Sequence, residues 1–235
     1  MPAAVSFDVW GTLLRLGPAR EAVVKVFSEL SGRSPEQVRA AVRDVDSEVK
    51  ELRLSAGLDG RRTVEESARL LCSRLGCRAD VNDVIEAVDS VVSSLRPEEL
   101  VYPDSARAVM EVREAGLRLG VLGNTLFWTS RATRRLLLSA FGGSFSYMAF
   151  ADEIGHSKPS PEAFRALLRG LGVGSPQQVV HVGDNPREDL GGALASGLKA
   201  VLVVREGLGA GLVLRGRGLA VVPSLEGLAG LVEEI

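Results

Sequence analysis

The architecture is set by residues 3–14, AAVSFDVWGTLL, in which a short apolar run ends at Asp8 and is followed by Gly11 and Thr12. An apolar run that stops at a polar residue and a glycine is typical of a buried strand entering a tight loop. We therefore predict a first strand in this run and a sharp turn of the chain after Asp8.

The pattern changes after this loop. Between about Pro18 and Leu95 the apolar residues recur at helical spacing, as at Val23 and Phe27, and no strand pattern is present. Ser34 precedes a proline and stands three residues before Gln37, which is a helix-start signature. This block is predicted to form about four amphipathic helices.

Helices and strands alternate from Val101 onward. Helices are predicted at 104–115, 130–141, 161–170 and 189–196, and strands at 117–122, 147–151, 179–182, 200–204 and 219–222. Ser224 is predicted to cap a closing helix, and the glycine-rich segment 207–218 receives no assignment. The almost continuously apolar strands indicate a parallel sheet covered on both faces. The predicted fold class is α/β, a Rossmann-like parallel sheet with an all-helical insertion after its first strand.

The composition excludes several classes of protein. The 235 residues are 46% hydrophobic and 25% charged, which is ordinary for a globular protein. A net charge of -2 gives no reason to expect a nucleic-acid or membrane partner, and no apolar run reaches the roughly 18–20 residues of a membrane span. With two cysteines and no evident secretory signal, we expect a cytoplasmic protein. Whether Cys72 and Cys77 are bonded, and the oligomeric state, are left open.

Polar residues collect where the predicted strands end. Four segments carry them: 8–12, 123–125, 155–159 and 183–189. Because the carboxyl ends of parallel strands meet at one edge of a sheet, these segments are expected to form one site. His181 lies inside a buried-strand pattern and is interpreted as structural.

On these segments the chain resembles the haloacid dehalogenase-like hydrolase superfamily. The most specific matches are FDVWGTLL at 7–14, KPSPEAF at 158–164 and VGDNPREDLGGALASG at 182–197. The resemblance covers nearly the whole chain. It implies an α/β core made of residues 1–14 and 97–235, and a helical cap made of residues 15–96.

The resemblance also implies roles for individual residues. Asp8 would be a nucleophile that forms an aspartyl intermediate, and Lys158 would neutralise both Asp8 and the substrate anion. Asp189 would orient the metal's ligand shell or bind through water. The residues implied for catalysis are Asp8 and Lys158, and those implied for substrate binding are Thr12, Asn124, Thr125 and Lys158. The implied ligands of Mg²⁺ are Asp8, the Trp10 carbonyl and Asp184, with Asp189 and Asn185 in support.

Two positions depart from the family's pattern. Trp10 stands where its phosphatases usually have a second Asp, which protonates the leaving group and activates water. An indole cannot do this, and a positioned general acid–base is worth roughly 10²–10⁴-fold in rate. Gly123 stands where the family normally has a Ser or Thr that holds a substrate oxygen.

Three functions remain open on the sequence. The leading hypothesis is a Mg²⁺-dependent phosphatase of a small phosphorylated metabolite. The second is a metal-free haloacid dehalogenase, which the aromatic residue at position 10 favours. The carboxylate of Asp184 opposes it, because like charges beside Asp8 are costly without a cation. The third is a catalytically weak protein that binds a phosphate ligand or a protein partner.

Overall fold

The computed structural model describes residues 2–55, 57–205 and 214–235. These residues form one seven-stranded sheet. Its strands are β1 (Ala4–Phe7), β2 (Arg118–Gly123), β3 (Tyr147–Phe150), β4 (Val179–Gly183), β5 (Lys199–Val203), β6 (Leu214–Gly216) and β7 (Leu219–Val222).

The strand order is β3-β2-β1-β4-β5-β7-β6, and every pair is parallel except the antiparallel pair of β6 and β7. β1 therefore lies in the middle of the sheet, hydrogen-bonded to β2 on one side and β4 on the other. This topology confirms the predicted α/β, Rossmann-like class.

The chain between β1 and β2 opens with a helical insertion, residues 16–93. It contains α1 (Leu16–Ser31), α2 (Pro35–Ser55), α3 (Thr63–Leu75) and α4 (Val81–Ser93). No strand occurs in the described part of this segment, as predicted. The start of α2 follows its signature: the Gln37 side chain accepts from the Ser34 N–H at 3.1 Å, and Ser34 Oγ accepts from the Gln37 N–H at 3.4 Å.

Seven further α-helices occur in the described residues after the insertion. They are α5 (Pro97–Leu100), α6 (Pro103–Glu114), α7 (Ser130–Phe141), α8 (Ala151–Ile154), α9 (Pro161–Leu171), α10 (Gly192–Ala195) and α11 (Leu228–Glu234). None of the helices in the described residues is both long and apolar enough to cross a membrane.

Two predicted helix starts are wrong. The helix expected at 189–196 begins earlier, as a π-helical turn at Pro186–Gly191 that continues into α10. The reason is that Asn185 Oδ1 accepts from the N–H groups of Arg187 and Glu188, which fixes the start of the turn. Ser224 does not cap α11. A turn intervenes, and the residue before the helix is Gly227, with φ 69°.

The glycine-rich segment divides into two parts. Residues 206–213 lie outside the described residues. Leu214–Gly216 form β6, which pairs with β7 as a short hairpin at the edge of the sheet. The sequence did not predict this strand, because three residues give no measurable period.

Side chains of β1 alternate between two apolar layers. Val5 and Phe7 pack into the larger layer, which includes apolar residues of the helical insertion, and Ala4 packs into the smaller layer with Phe164 of α9. All four residues of β1 are buried. Because this central strand is covered on both faces, its carboxyl end is where a side chain can meet a ligand, and Asp8 lies at that end.

Candidate active site

The loop after β1 holds Asp8 against β4 and close to Asp184. The Asp8 N–H donates to the Val182 carbonyl at 2.8 Å, and Thr12 Oγ1 donates to Asp8 Oδ2 at 3.3 Å. Gly11 has φ 93°, and a Cβ placed there would lie 2.2 Å from Asp184 Oδ2. Only glycine combines this backbone with this close approach, so Gly11 lets Asp184 come near the Asp8 loop.

Lys158 is buried between two carboxylates. Its Nζ donates to Asp8 Oδ1 at 2.7 Å and to Asp189 Oδ1 at 2.6 Å. Its backbone is held by Asn124, which accepts from the Lys158 N–H at 2.8 Å and donates to the Lys158 carbonyl at 3.0 Å. In this structure the Asn124 side chain positions Lys158, and its predicted contact with substrate stays a prediction.

Asp189 is buried and both of its oxygens are in use. Besides Lys158, Oδ1 faces His181 Nε2 at 3.1 Å, and Oδ2 accepts from the Asn185 N–H at 2.9 Å. A Cβ at Gly183 would lie 2.2 Å from Asp189 Cγ, so glycine is needed beside it. These contacts place Asp189 as a support for Lys158 rather than as an open metal ligand.

His181 extends this network, which the sequence did not indicate. Its Nδ1 lies 2.8 Å from Ser6 Oγ, and its Nε2 faces Asp189. Burial lowers the pKa of His181, and the nearby Lys158 acts in the same direction, while the hydrogen bond that His181 donates to Asp189 opposes both. A neutral ring that donates from Nε2 and accepts the Ser6 hydroxyl at Nδ1 satisfies both partners. Only the position of His181 two residues before Gly183 hinted at this role.

Three carboxylates converge at this edge of the sheet. Asp8, Asp184 and Asp189 each offer an oxygen, and these oxygens lie within 4.8 Å of one another. Burial, together with Asp189 and Asp184 and against Lys158, raises the pKa of Asp8 to about 8. Loss of hydration, followed by the charge of Asp189, raises the pKa of Asp184 to about 6. One lysine therefore does not balance the negative charge of this cluster.

The Lys158–Asp189 pair itself stays ionised. Burial alone would lower the pKa of Lys158, but Asp189 and Asp8 outweigh it and raise that pKa. Burial would raise the pKa of Asp189, but the charge of Lys158 and the contact with His181 lower it. Lys158 is thus a fixed positive charge beside Asp8.

Trp10 is half-buried, and its indole N–H is hydrogen-bonded within the protein. Its Nε1 donates to Thr133 Oγ1 at 3.3 Å, and Trp128 Nε1 donates to the same oxygen at 3.1 Å. The two rings meet edge to face, with centroids 5.1 Å apart. The predicted metal contact of the Trp10 carbonyl is untested by these contacts and stays a prediction.

The position of Gly123 is closed to a larger residue. A Cβ there would lie 2.9 and 3.0 Å from two ring atoms of Phe150, which is fully buried at the end of β3. The phenyl ring occupies the space that a Ser or Thr side chain would need. The sequence shows the glycine, but not the ring that fills its place.

A cavity of about 150 Å³ lies above the acidic cluster, between the core and the helical insertion. Asp8, Asp184 and Trp10 lie in its wall, as does Thr125. Thr125 Oγ1 is buried and has no hydrogen-bond partner among the residues the structure describes. The substrate contact predicted for Thr125 stays a prediction.

Arg205 holds the loop that carries Asp8 through hydrogen bonds to the loop's backbone. Its guanidinium donates to the carbonyls of Gly11 at 3.0 Å and Thr12 at 2.6 Å, and its Nη1 contacts both oxygens of Asp104 at 3.0 and 2.9 Å. It also lies 3.7 Å above the ring of Tyr102. No local pattern marks Arg205 as part of the site, because its partners are more than 100 residues away in sequence.

Asp8, Lys158 and the strand-end carboxylates all lie within the part of the chain that matches a known family. A family model described as haloacid dehalogenase-like hydrolase matches residues 2–197. The chain belongs to the haloacid dehalogenase-like hydrolase family.

Relatives with phosphatase names align with the chain. A phosphoglycolate phosphatase of Rhodospirillum rubrum is 30% identical over 218 residues, 86% of this chain and 80% of that protein. A phosphoserine phosphatase of Thermus thermophilus is 35% identical over 105 residues, 45% of this chain. The chain spans only 41% of the length of that second relative.

A solved structure shares the whole fold of this family member. The L-2-haloacid dehalogenase of Xanthobacter autotrophicus covers 100% of both chains with a TM-score of 0.72 and 23% identity. At this identity the likeness shows the fold alone.

Proposed function

We propose that this family member is a Mg²⁺-dependent phosphatase of a small phosphorylated metabolite, with Asp8 as its nucleophile. The observation that carries the proposal is the approach of the Asp8, Asp184 and Asp189 oxygens within 4.8 Å of one another, against a single buried Lys158. With all three carboxylates ionised, one ammonium leaves two negative charges, which a divalent cation would balance.

The residues present fit Mg²⁺. This ion prefers oxygen ligands and is usually held by one or two carboxylates, with waters and substrate oxygens completing its shell. Asp8 and Asp184 would hold it with the Trp10 carbonyl, since both oxygens of Asp189 are already bound within the protein. Gly11 leaves room for Asp184 in this arrangement. When bound, the ion would keep Asp8 ionised and attract a phosphate oxygen.

The chain's own residues would perform phosphoryl transfer in two steps. An Asp8 oxygen would form a bond to phosphorus while the ester P–O bond breaks, giving an aspartyl phosphate and the leaving alcohol. A water would then attack phosphorus, release inorganic phosphate and restore Asp8. Lys158 stays protonated throughout and offsets charge, while Thr125 and Asn124 are proposed to contact the phosphate.

Trp10 cannot transfer a proton to the leaving alcohol. The indole N–H of Trp10 is donated to Thr133, and an indole neither releases nor accepts a proton as an acid or base at neutral pH. The proton for the leaving alcohol would then come from water. We therefore expect slow turnover that favours esters with good leaving groups, such as p-nitrophenyl phosphate.

The helical insertion is proposed to act as the cap. In this reading, residues 15–96 cover a core formed by residues 1–14 and 97–235. The contacts that support it cross between the two parts: the Gly60 N–H donates to the Gly155 carbonyl at 3.1 Å, and Asp89 accepts from the Thr129 N–H at 2.8 Å. The helices of the insertion also supply one wall of the cavity.

The test is hydrolysis of p-nitrophenyl phosphate and of 2-chloropropionate, each with Mg²⁺ and with EDTA. We expect nitrophenolate release that needs Mg²⁺, no chloride release, and loss of activity in Asp8→Asn. Metal-independent chloride release would instead identify a dehalogenase. Inactivity on both compounds with intact Mg²⁺ binding would support the third hypothesis, a weakly active binding protein.

A further inference from the structure

Arg53 reaches from the helical insertion to the catalytic loops. It lies in the last turn of α2, its side chain is 4% exposed, and its Nη2 donates to Glu188 Oε1 at 3.1 Å. The other oxygen of Glu188 accepts from Asn124 Nδ2 at 3.0 Å, and Asn124 holds the backbone of Lys158. The guanidinium is therefore anchored beside the site by one carboxylate.

Most of the hydrogen-bonding capacity of Arg53 is unused. Its Nε and Nη1 are buried and have no hydrogen-bond partner among the described residues. A guanidinium carries five N–H donors, and the single contact with Glu188 leaves most of them without an acceptor. Buried charged donors are almost always paired, so this arrangement calls for a further acceptor.

The other cations of the same wall are already paired. Arg20 and Lys50 both contact Asp46 Oδ2, at 2.9 and 3.0 Å, and their side chains are 40% and 39% exposed. Arg53 is the buried one of these three residues, and all three line the cavity above Asp8. Since burial strengthens charge-assisted hydrogen bonds, Arg53 is the residue best placed to select an anion.

We propose that Arg53 binds a carboxylate of the substrate, so that the preferred substrate is a short phosphorylated carboxylic acid. This rests on the proposed function, with the phosphate at Asp8. A carboxylate and a second phosphate offer similar acceptors. The cavity of about 150 Å³ suits a molecule of few carbons, and the experiment below distinguishes a carboxylate from a second phosphate.

The test compares two substrates that differ only at this group. 2-Phosphoglycolate carries a carboxylate where ethyl phosphate carries a methyl group. For the wild type we expect kcat/KM to favour 2-phosphoglycolate by about 10- to 100-fold, as one charge-assisted hydrogen-bonded contact would give. Ethylene glycol bisphosphate, tested alongside, reports whether a second phosphate is accepted, and a higher kcat/KM for it would overturn the assignment to a carboxylate.

Arg53→Met should lower kcat/KM for 2-phosphoglycolate more than for ethyl phosphate, so that the preference disappears. Arg53→Lys, which keeps the contact with Glu188 but has fewer donors, should give an intermediate preference. Arg20→Met is the matched control: the same wall loses a cation that is already paired, and the preference should remain. If kcat/KM falls equally for both substrates in Arg53→Met and in Arg53→Lys, Arg53 supports Lys158 instead, and the proposal is overturned.

Measurements of ligand binding test the Arg53 site separately from the proposed function. In Asp8→Asn, calorimetry should show tighter binding of 2-phosphoglycolate than of ethyl phosphate, and adding Arg53→Met should abolish the difference. If no ester is hydrolysed but this difference is present, the proposed function fails and the Arg53 site stands. If esters are hydrolysed and the two ligands bind equally, the Arg53 site fails and the proposed function stands.

Discussion

Trp10 is a single residue whose exchange should change the chemistry. Trp10→Asp would place a carboxylate within reach of the leaving group and of water, and we expect turnover of alkyl phosphates to rise by roughly 10²-fold. The substitution also removes the contacts of the indole with Thr133 and Trp128, at a cost of about 1–3 kcal/mol in the free energy of unfolding. Steady-state kinetics and urea denaturation measure the two effects.

Trp10→Asn is the matched control for that gain. It has the size of Asp and loses the same indole contacts, but it cannot exchange a proton. We expect it to be as destabilised as Trp10→Asp and no faster than the wild type on alkyl phosphates. A folded, Mg²⁺-binding Trp10→Asp with no gain over Trp10→Asn would show that another feature limits the reaction.

Gly123 should not accept the serine typical of the family. The Cβ of Gly123→Ser would meet the Phe150 ring at 2.9 and 3.0 Å, so the free energy of unfolding should fall by about 1–3 kcal/mol. Gly123→Ala, which adds the same Cβ without a hydroxyl, should be destabilised equally. In a Phe150→Leu background, serine but not alanine at position 123 should lower KM for p-nitrophenyl phosphate. Wild-type stability of Gly123→Ser would contradict the steric explanation.

The loop after β1 depends on an element far from it in sequence. Arg205, which follows β5, holds the carbonyls of Gly11 and Thr12 and pairs with Asp104. Arg205→Met would leave Asp104 partly buried without its cation, and we expect a loss of about 3 kcal/mol in the free energy of unfolding. Because the Asp8 loop would shift, kcat/KM should fall by roughly 10-fold or more.

Arg205→Lys tests whether the forked guanidinium matters beyond its charge. A lysine keeps the charge beside Asp104 but cannot reach Asp104 and both carbonyls together. It should recover part of the stability and little of the kcat/KM. Denaturation and kinetics on the same preparations check this, and full recovery of kcat/KM by lysine would rule out positioning of the loop.

Elements with a local pattern could be predicted from the sequence, and contacts between distant elements could not. The apolar run before Asp8 and the helical spacing around Val23 and Phe27 are local, so the sheet class and the helical insertion follow from them. The convergence of Asp8 with Asp184 follows from parallel topology. The contact of Phe150 with the space beside Gly123 and the ion pair of Arg53 with Glu188 could not be predicted. Both depend on side-chain packing between elements that are far apart in sequence.

The charge of the site should make the stability of the molecule depend on pH and on metal. Without a cation, the pKa values of Asp8 and Asp184 are raised from 3.8 to about 8 and about 6. At these two carboxyl groups the folded protein therefore binds more protons than the unfolded chain between about pH 4 and pH 8, and their contribution to stability should fall as the pH rises through this window.

Thermal denaturation in EDTA and in excess Mg²⁺ measures this linkage. Mg²⁺ should raise Tm, and the increase should be larger near pH 8 than near pH 5, because a cation competes with protons for the same oxygens. Asp184→Asn should weaken both the pH dependence in EDTA and the effect of Mg²⁺. An equal effect of Mg²⁺ at both pH values would count against a metal bound at Asp8 and Asp184.

The central position of β1 also has a consequence during synthesis on the ribosome. β1 ends at Phe7, but its two neighbours in the sheet begin at Arg118 and Val179. At ordinary rates of translation, this apolar strand waits roughly ten seconds or more for its second neighbour. The intervening helices form from contacts close in sequence and can fold first. Protease treatment of stalled nascent chains should therefore cut near residues 4–7 until β4 has emerged, while the helical insertion is already protected.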